Sequence, residues 1–193
     1  MLAGFSGTGF NIPLTSTFAQ MSETLTITQA TVADAKILTE LSVTTFTEAF
    51  GANNRKEDMD KYIASAMSVP AIGAELADGN NVFFLAWYEN ELAGYAKLGY
   101  NQKPEAKDLE APVELERIYV LKKFYGKKTG AALMEKCLAH ATAHGDTVMW
   151  LGVWQQNHRA VSFYKQWGFE FYGTHQFVLG DDVQTDELMK KDL

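Results

Sequence analysis

The chain has 193 residues, 47% of them hydrophobic, with one cysteine and a formal net charge of -7 from 17 basic and 24 acidic side chains. That length and apolar content suit a single well-buried domain and are short for two, while the acidic balance argues against a nucleic-acid partner and agrees with a cationic substrate. The lone Cys137 excludes an intramolecular disulfide framework and points to a reducing cytoplasm, and no apolar run approaches the roughly 20 residues of a membrane span.

Residues Met1 to Gln20 form a Gly/Ser/Thr-rich lead without Lys or Arg, interrupted by Asn11 and Pro13, which argues against a secretory signal. Residues 1–22 are expected to be a flexible extension and 23–193 one domain. Thr24 to Thr31 alternates as a first strand. Asp34 to Phe50 then reads as a helix with Ile37, Leu38, Leu41, Thr45 and Ala49 on its core stripe and Phe46 and Phe50 beside it. A second helix is expected from Lys56 to Met67, separated by Pro70 from a short helical piece that ends near Asp78 and Gly79. Asn81 to Tyr88 and Leu92 to Tyr100 are β-rich and flank the hairpin signal Glu89-Asn90-Glu91, and Gln102 to Ala111 is a polar loop. A strand from Glu114 to Leu121, a turn from Tyr125 to Gly130 and a helix from Lys128 to His144 come next. A strand from Thr147 to Val153, a helix from Asn157 to Trp167 and two closing strands complete the chain. The expected fold class is α/β (α+β): a central mixed, mostly antiparallel sheet of six to seven strands flanked by about four helices.

Three segments carry chemistry. A strand that feeds a turn at a helix start is an anion site, because the first backbone N–H groups are unpaired and the helix dipole adds to them. Here Gly126 and Gly130 permit close backbone approach and Lys127 and Lys128 add charge; the plainer reading is a β-to-α turn with two solvated lysines. In the helix that follows Asn157, the residues Asn157, Ala160, Val161, Tyr164 and Gly168 fall at i, i+3, i+4, i+7 and i+11, which puts Asn157 and Tyr164 on one face roughly 10 Å apart. Taken singly, Asn157 is an N-cap and Tyr164 a core aromatic. Glu114 and Glu116, two apart on a strand, are expected on one face with Ile118 and Val120, as a base or as an electrostatic site for an ammonium. His140 and His144 are spaced like metal ligands, but HATAH lacks the Glu of the metalloprotease pattern, and no metal is expected.

The turn and helix YGKKTGAALM, the pattern from Asn157 to Phe169 and the strand ELERIYV before them resemble the GNAT superfamily of acyl-CoA-dependent N-acetyltransferases, over roughly Thr24 to the C-terminus. LSVTTFTEAFG, WLGVWQQNHRAVSFYKQWGF and GDDVQTDELM make the chain most similar to PaiA-type spermidine/spermine acetyltransferases. The resemblance implies acetyl-CoA as cosubstrate, a polyamine or other small amine as acceptor, and direct attack in a ternary complex. It places Tyr125, Gly126, Lys127, Lys128, Thr129 and Gly130 at the pyrophosphate, the backbone of Ile118, Tyr119 and Val120 at the acetyl and pantetheine portions, and Asn157 with Ala160 on the pantetheine arm. Tyr164 matches the proton donor to the departing thiolate. Glu116 is the favoured base and Glu114 the alternative, while Phe46, Phe50 and Tyr62 are candidate walls of the acceptor pocket. A homodimer is allowed for. Tyr125 and Lys128 stand where the family carries Gln or Arg and Gly, so the turn is expected to be α-compatible at Lys128, which does not easily adopt positive φ. A strand bulge is usual near Ile118 in the family and would change the alternation used to pair the glutamates. Another acceptor, such as a protein N-terminus or an aminoglycoside, and a non-catalytic acetyl-CoA-binding regulator are the alternatives.

Overall fold

The structure is a computed structural model that describes residues 24–101 and 103–193; the extension expected over 1–22 lies outside the described residues. Apolar alternation lays down seven strands: β1 (Leu25–Gln29), β2 (Asn81–Tyr88), β3 (Glu91–Gly99), β4 (Pro112–Val120), β5 (Val148–Trp154), β6 (Glu170–Leu179) and β7 (Asp182–Asp192). They join in one sheet in the order β1-β2-β3-β4-β5-β7-β6. Every neighbouring pair is antiparallel except β4 and β5. Among the described residues there are five α-helices rather than about four: α1 (Ala35–Phe50), α2 (Lys56–Ala66), α3 (Val69–Ala77), α4 (Thr129–His144) and α5 (His158–Gln166).

Local chemistry explains the junctions. Glu89 and Asn90 both have positive φ, 50° and 66°, so β2 and β3 meet in a two-residue turn whose twist suits a hairpin, and Glu91 already belongs to β3. Pro70 lies in the first turn of α3, where its missing N–H costs nothing, and the Ser68 hydroxyl caps that helix by accepting from the Ala71 N–H at 3.3 Å.

The helices sandwich the sheet. Leu133, Met134, Cys137 and Ala141 of α4, with Val161 and Tyr164 of α5, bury against Ala96, Leu98, Leu115 and Met149 on one face. Leu38 and Leu41 of α1 and Ile72 of α3 bury against Phe83, Leu85 and Tyr95 on the other. Truncating a fully buried leucine such as Leu133 to alanine removes ~2–5 kcal/mol, so α4 is held firmly in place. The tip of the β6–β7 hairpin is locked onto α2, where the Asp58 carboxylate accepts from the Asp181 N–H at 3.0 Å. Gly180 makes that approach possible, since a Cβ there would lie 2.6 Å from the Asp58 Cα.

Two irregularities shape the middle of the sheet. β4 and β5 pair only at Pro112 with Val148, Val113 with Met149 and Glu114 with Trp150, and then diverge. On its other edge β4 carries a bulge: Leu98 opposes Leu115 and Lys97 opposes Arg117, so Glu116 is the extra residue. The bulge corrects the expected alternation. Glu114 and Glu116 both reach Lys103 on the α1 side, where Tyr119 also packs, whereas Ile118 and Val120 turn to the α4 side.

Candidate active site

The divergence of β4 from β5 opens a cleft of about 530 Å³. One wall is the start of α4. Gly126 (φ 80°) and Lys128 (φ 60°, ψ 6°) are both left-handed, with Lys128 as the N-cap residue. This corrects the expectation of an α-compatible turn at Lys128: the position keeps the backbone shape that favours glycine although its side chain is lysine. The left-handed region costs a non-glycine residue roughly 1–2 kcal/mol. The first intrahelical acceptor is the Lys128 carbonyl, bonded by the Ala132 N–H at 3.0 Å, so the N–H groups of Thr129, Gly130 and Ala131 are left for the cleft that these residues line. Thr129 is buried, at 1% exposure, and its hydroxyl has no partner among the described residues. A buried orphan hydroxyl beside three helix-start N–H groups fits an oxyanion-rich group such as a phosphate.

Arg159, in the first turn of α5, stacks its guanidinium 3.4 Å from the centroid of the Tyr125 ring, and both residues line the cleft. Sequence reasoning missed Arg159. Lys127 is not on the cleft wall; its ammonium lies 5.4 Å from the centroid of the Tyr88 ring.

The second wall is α5. Asn157 is its N-cap, with the side-chain oxygen accepting from the Ala160 N–H at 3.2 Å, and Asn157, Ala160 and Tyr164 all border the cleft. The single-residue reading of Asn157 as a cap is therefore correct, and its amide nitrogen is not used in capping. Tyr164 is 8% exposed and is held edge-on to Phe163 and Phe169, with ring centroids 5.6 and 5.8 Å away. Burial pushes its hydroxyl well above the usual phenol value, so it stays protonated at neutral pH.

The backbone of Ile118, Tyr119 and Val120 runs along the open edge of β4 into the cleft. Glu116 reaches the cleft as well, but Glu114 does not. Both belong to a ladder of alternating charges. Lys103 lies 2.5 Å from Glu114 and 3.2 Å from Glu116, Lys97 lies 2.6 Å from Glu116 and 3.4 Å from Glu75, and Arg117 holds Glu75 through two bonds of 2.6 and 2.8 Å. Gly99 admits this packing, because a Cβ there would meet the Glu116 carboxylate at 2.3 Å. Burial raises the Glu114 carboxyl above its ordinary value despite Lys103. Burial acts on Glu116 too, but Lys97 and then Lys103 outweigh it and hold that carboxyl below the ordinary value. Glu116 is thus a persistent anion.

The third wall is aromatic. Phe46 stacks on Tyr62 at 4.9 Å, Tyr62 meets Phe177 at 5.6 Å, and Phe50 meets Tyr119 at 6.3 Å and Trp154 at 6.2 Å. All six line the cleft, including the expected Phe46, Phe50 and Tyr62. Asp186 of β7 completes this wall and was not anticipated. Its signal was in the closing strand, where Gln184, Asp186 and Leu188 alternate onto one face. His140 and His144 take no part; His140 packs on Phe84 and His144 bonds Asp146 at 3.0 Å.

A cleft that joins a phosphate-fitting helix start, a buried tyrosine hydroxyl and an aromatic chamber has known relatives. The sequence model of the Acetyltransferase (GNAT) family matches residues 38–169. An uncharacterised N-acetyltransferase of Lactobacillus delbrueckii subsp. lactis is 35% identical over 167 residues, covering 86% of this chain and 96% of that protein. A spermine/spermidine N(1)-acetyltransferase of Bacillus subtilis (strain 168) is 26% identical over 103 residues, which are 53% of this chain and 67% of that protein. Among solved structures, the PaiA N-acetyltransferase of Thermoplasma acidophilum in complex with coenzyme A superposes with a TM-score of 0.73 at 20% identity, over 88% of this chain and 99% of that one. A Salmonella typhimurium acetyltransferase structure with acetyl-CoA gives a TM-score of 0.63 at 22% identity, over 88% and 94% of the two chains. The family match extends from α1 to the end of the α5 motif, and the Lactobacillus relative follows the chain along most of its length, so the chain belongs to the Acetyltransferase (GNAT) family.

Proposed function

We propose that this GNAT acetyltransferase moves an acetyl group from acetyl-CoA to a primary amine of a small cationic molecule, a polyamine such as spermidine or spermine, by direct attack in a ternary complex. The observation that carries the reading is a single cleft walled by the start of α4, by Tyr164 and by the aromatic residues of α1 and α2. Thr129, Gly130 and Ala131 would hold the pyrophosphate with Lys128 and Arg159 beside it, and the Asn157 amide and the open edge from Ile118 to Val120 would hold the pantetheine arm. An N–H near Val120 would polarise the thioester carbonyl. Tyr164, neutral and buried, is the proton donor to the departing thiolate. Glu116, paired with two lysines and held below the ordinary carboxylate value, is poorly suited to accept the ammonium's proton.

Support for a polyamine comes from the Bacillus relative's name, from the PaiA neighbour, and from the carboxylate of Asp186 on the cleft wall. The six aromatic rings favour an acceptor with an apolar body between or beside its charges, since methylene chains and ammonium groups both pack well on ring faces. An aryl-alkyl monoamine satisfies that chamber too and is the second reading. A reducing cytoplasm belongs to the same proposal, and the lone Cys137 agrees with it.

The test is release of CoA thiol from acetyl-CoA with spermidine, spermine, aryl-alkyl amines and an N-terminal peptide as acceptors. Turnover with a polyamine and not with the peptide is expected. Acetyl-CoA binding without turnover on the whole panel would refute the enzymatic reading.

A further inference from the structure

We propose that Asp186 is the carboxylate that receives the acceptor's ammonium and takes its proton, and that His175 and Glu105 pass that proton from the cleft to solvent. The inference rests on the acetyl-transfer reading and adds the acceptor end of the site to it. An amine of the lysine type has an ordinary pKa near ~10.4 and enters as an ammonium, so one proton must leave before the nitrogen attacks.

Three side chains make a file across the sheet. Asp186 of β7 lines the cleft, and its Oδ1, a buried atom, has no hydrogen-bond partner among the described residues. Its Oδ2 is 3.5 Å from the buried Nε2 of His175 on β6, an ion-pair contact and not a hydrogen bond, so the two must close by a few tenths of an ångström for a proton to pass. Nδ1 of the same ring lies 3.1 Å from Oε1 of Glu105, a carboxylate with a quarter of its side chain exposed. The file therefore begins at a carboxylate on the cleft wall and ends at one in contact with water.

Gly152 makes room for it. This glycine sits inside β5, where it weakens a strand and offers nothing to pack. A Cβ there would stand 3.2 Å from His175 Nε2 and 3.5 Å from Asp186 Oδ2, so a side chain would crowd the point where the two groups meet the cleft.

The neighbouring charges leave His175 as the ionisable group that acts on Asp186. From β4, Glu116 is paired with Lys97 and Lys103, and Arg117 is paired with Glu75. From α2 comes Tyr62, a phenol that burial keeps neutral; β5 presents Gly152 and Trp154, and β7 itself adds the uncharged Gln184. Burial pushes the Asp186 carboxyl above its ordinary value, with His175 pulling the other way, which makes it a stronger base than Glu116.

The protons balance. The ammonium gives one to Asp186, the freed lone pair forms the C–N bond, the C–S bond breaks, and the thiolate takes the Tyr164 proton. The second nitrogen proton restores the tyrosine. One proton per acetyl remains; it moves from Asp186 to Nε2 of His175 while the Nδ1 proton goes to Glu105 and on to solvent.

The test compares Asp186→Asn and His175→Gln with the wild type, using spermidine and the amine panel as acceptors. In Asp186→Asn, kcat/KM for the acceptor should fall roughly 100-fold or more, with acetyl-CoA affinity unchanged in calorimetry. His175→Gln removes the group that lowers the Asp186 pKa, so the acidic limb of the kcat/KM profile should move to higher pH, which a purely structural role would not cause. Wild-type kcat/KM in Asp186→Asn, or an unmoved limb in His175→Gln, overturns the proposal. If Asp186→Asn also loses acetyl-CoA binding, the position of the His175→Gln limb decides. Wild-type protein inactive on every amine would overturn the acetyl-transfer reading, a result distinguishable from an active wild type matched by its variants.

Discussion

The Arg159 guanidinium stacks on the Tyr125 ring at 3.4 Å and so fastens the first turn of α5 to the loop that opens α4. Two segments 34 positions apart in sequence thereby form one basic rim on the cleft. Arg159→Ala should weaken acetyl-CoA binding about 10- to 100-fold, the value of a charge-assisted hydrogen bond. Calorimetry at two ionic strengths checks it, and the salt dependence should shrink with the affinity.

Lys128 combines a left-handed backbone with a cationic side chain, and two substitutions separate these properties. Lys128→Gly relieves the backbone but lowers acetyl-CoA affinity, whereas Lys128→Ala loses the charge and keeps the strain. Lys128→Ala should be less stable than Lys128→Gly by about 1 kcal/mol in urea denaturation, with similar affinity losses in both.

Tyr164→Phe preserves the ring contacts with Phe163 and Phe169 and removes only the hydroxyl. Turnover should fall roughly 100-fold or more while acetyl-CoA still binds. Burial keeps this hydroxyl protonated well past neutrality, so the wild-type profile should show no basic limb from Tyr164 below about pH 9.

Asp186 and Glu116 should influence stability in opposite directions. The folded pKa of Asp186 is raised, so the folded state binds the proton more tightly and the unfavourable contribution appears as pH rises above the ordinary carboxylate value. Glu116 is depressed, so its contribution is present above the ordinary carboxylate value and is lost as pH falls through its folded value. Asp186→Asn should therefore melt above the wild type at pH 8, with the gap closing toward pH 4, in scanning calorimetry.

Cys137 is fully buried, and its thiol is pushed up to about 12 by that burial. The native protein should not react with a disulfide reagent at pH 8, and one equivalent should react after denaturation. The same inertness lets CoA thiol release be read without background from the protein.

The parts of the site built from contiguous chain were legible in sequence. The start of α4 and the helix face joining Asn157, Ala160 and Tyr164 depend on local periodicity, and that periodicity survives folding. Lys128 was misread because positive φ at a lysine is imposed by the surrounding turn rather than by the residue. The faces of Ile118 and Val120 were misread because the bulge at Glu116 is a property of the β3–β4 pairing. Asp186, His175 and Glu105 come from β7, β6 and the loop before β4, and only the sheet order brings them together.

The three-position pairing of β4 with β5 leaves the protein with a strand border in the interior of its own sheet. Such borders usually invite a neighbouring chain, but this one opens between helices α4 and α5, where an extended amide-bearing molecule fits more readily than a second strand. An acyl-CoA arm lying there would act as a temporary ladder rung. Amide exchange from Ile118 to Val120 should then slow when acetyl-CoA is added and recover when it is removed.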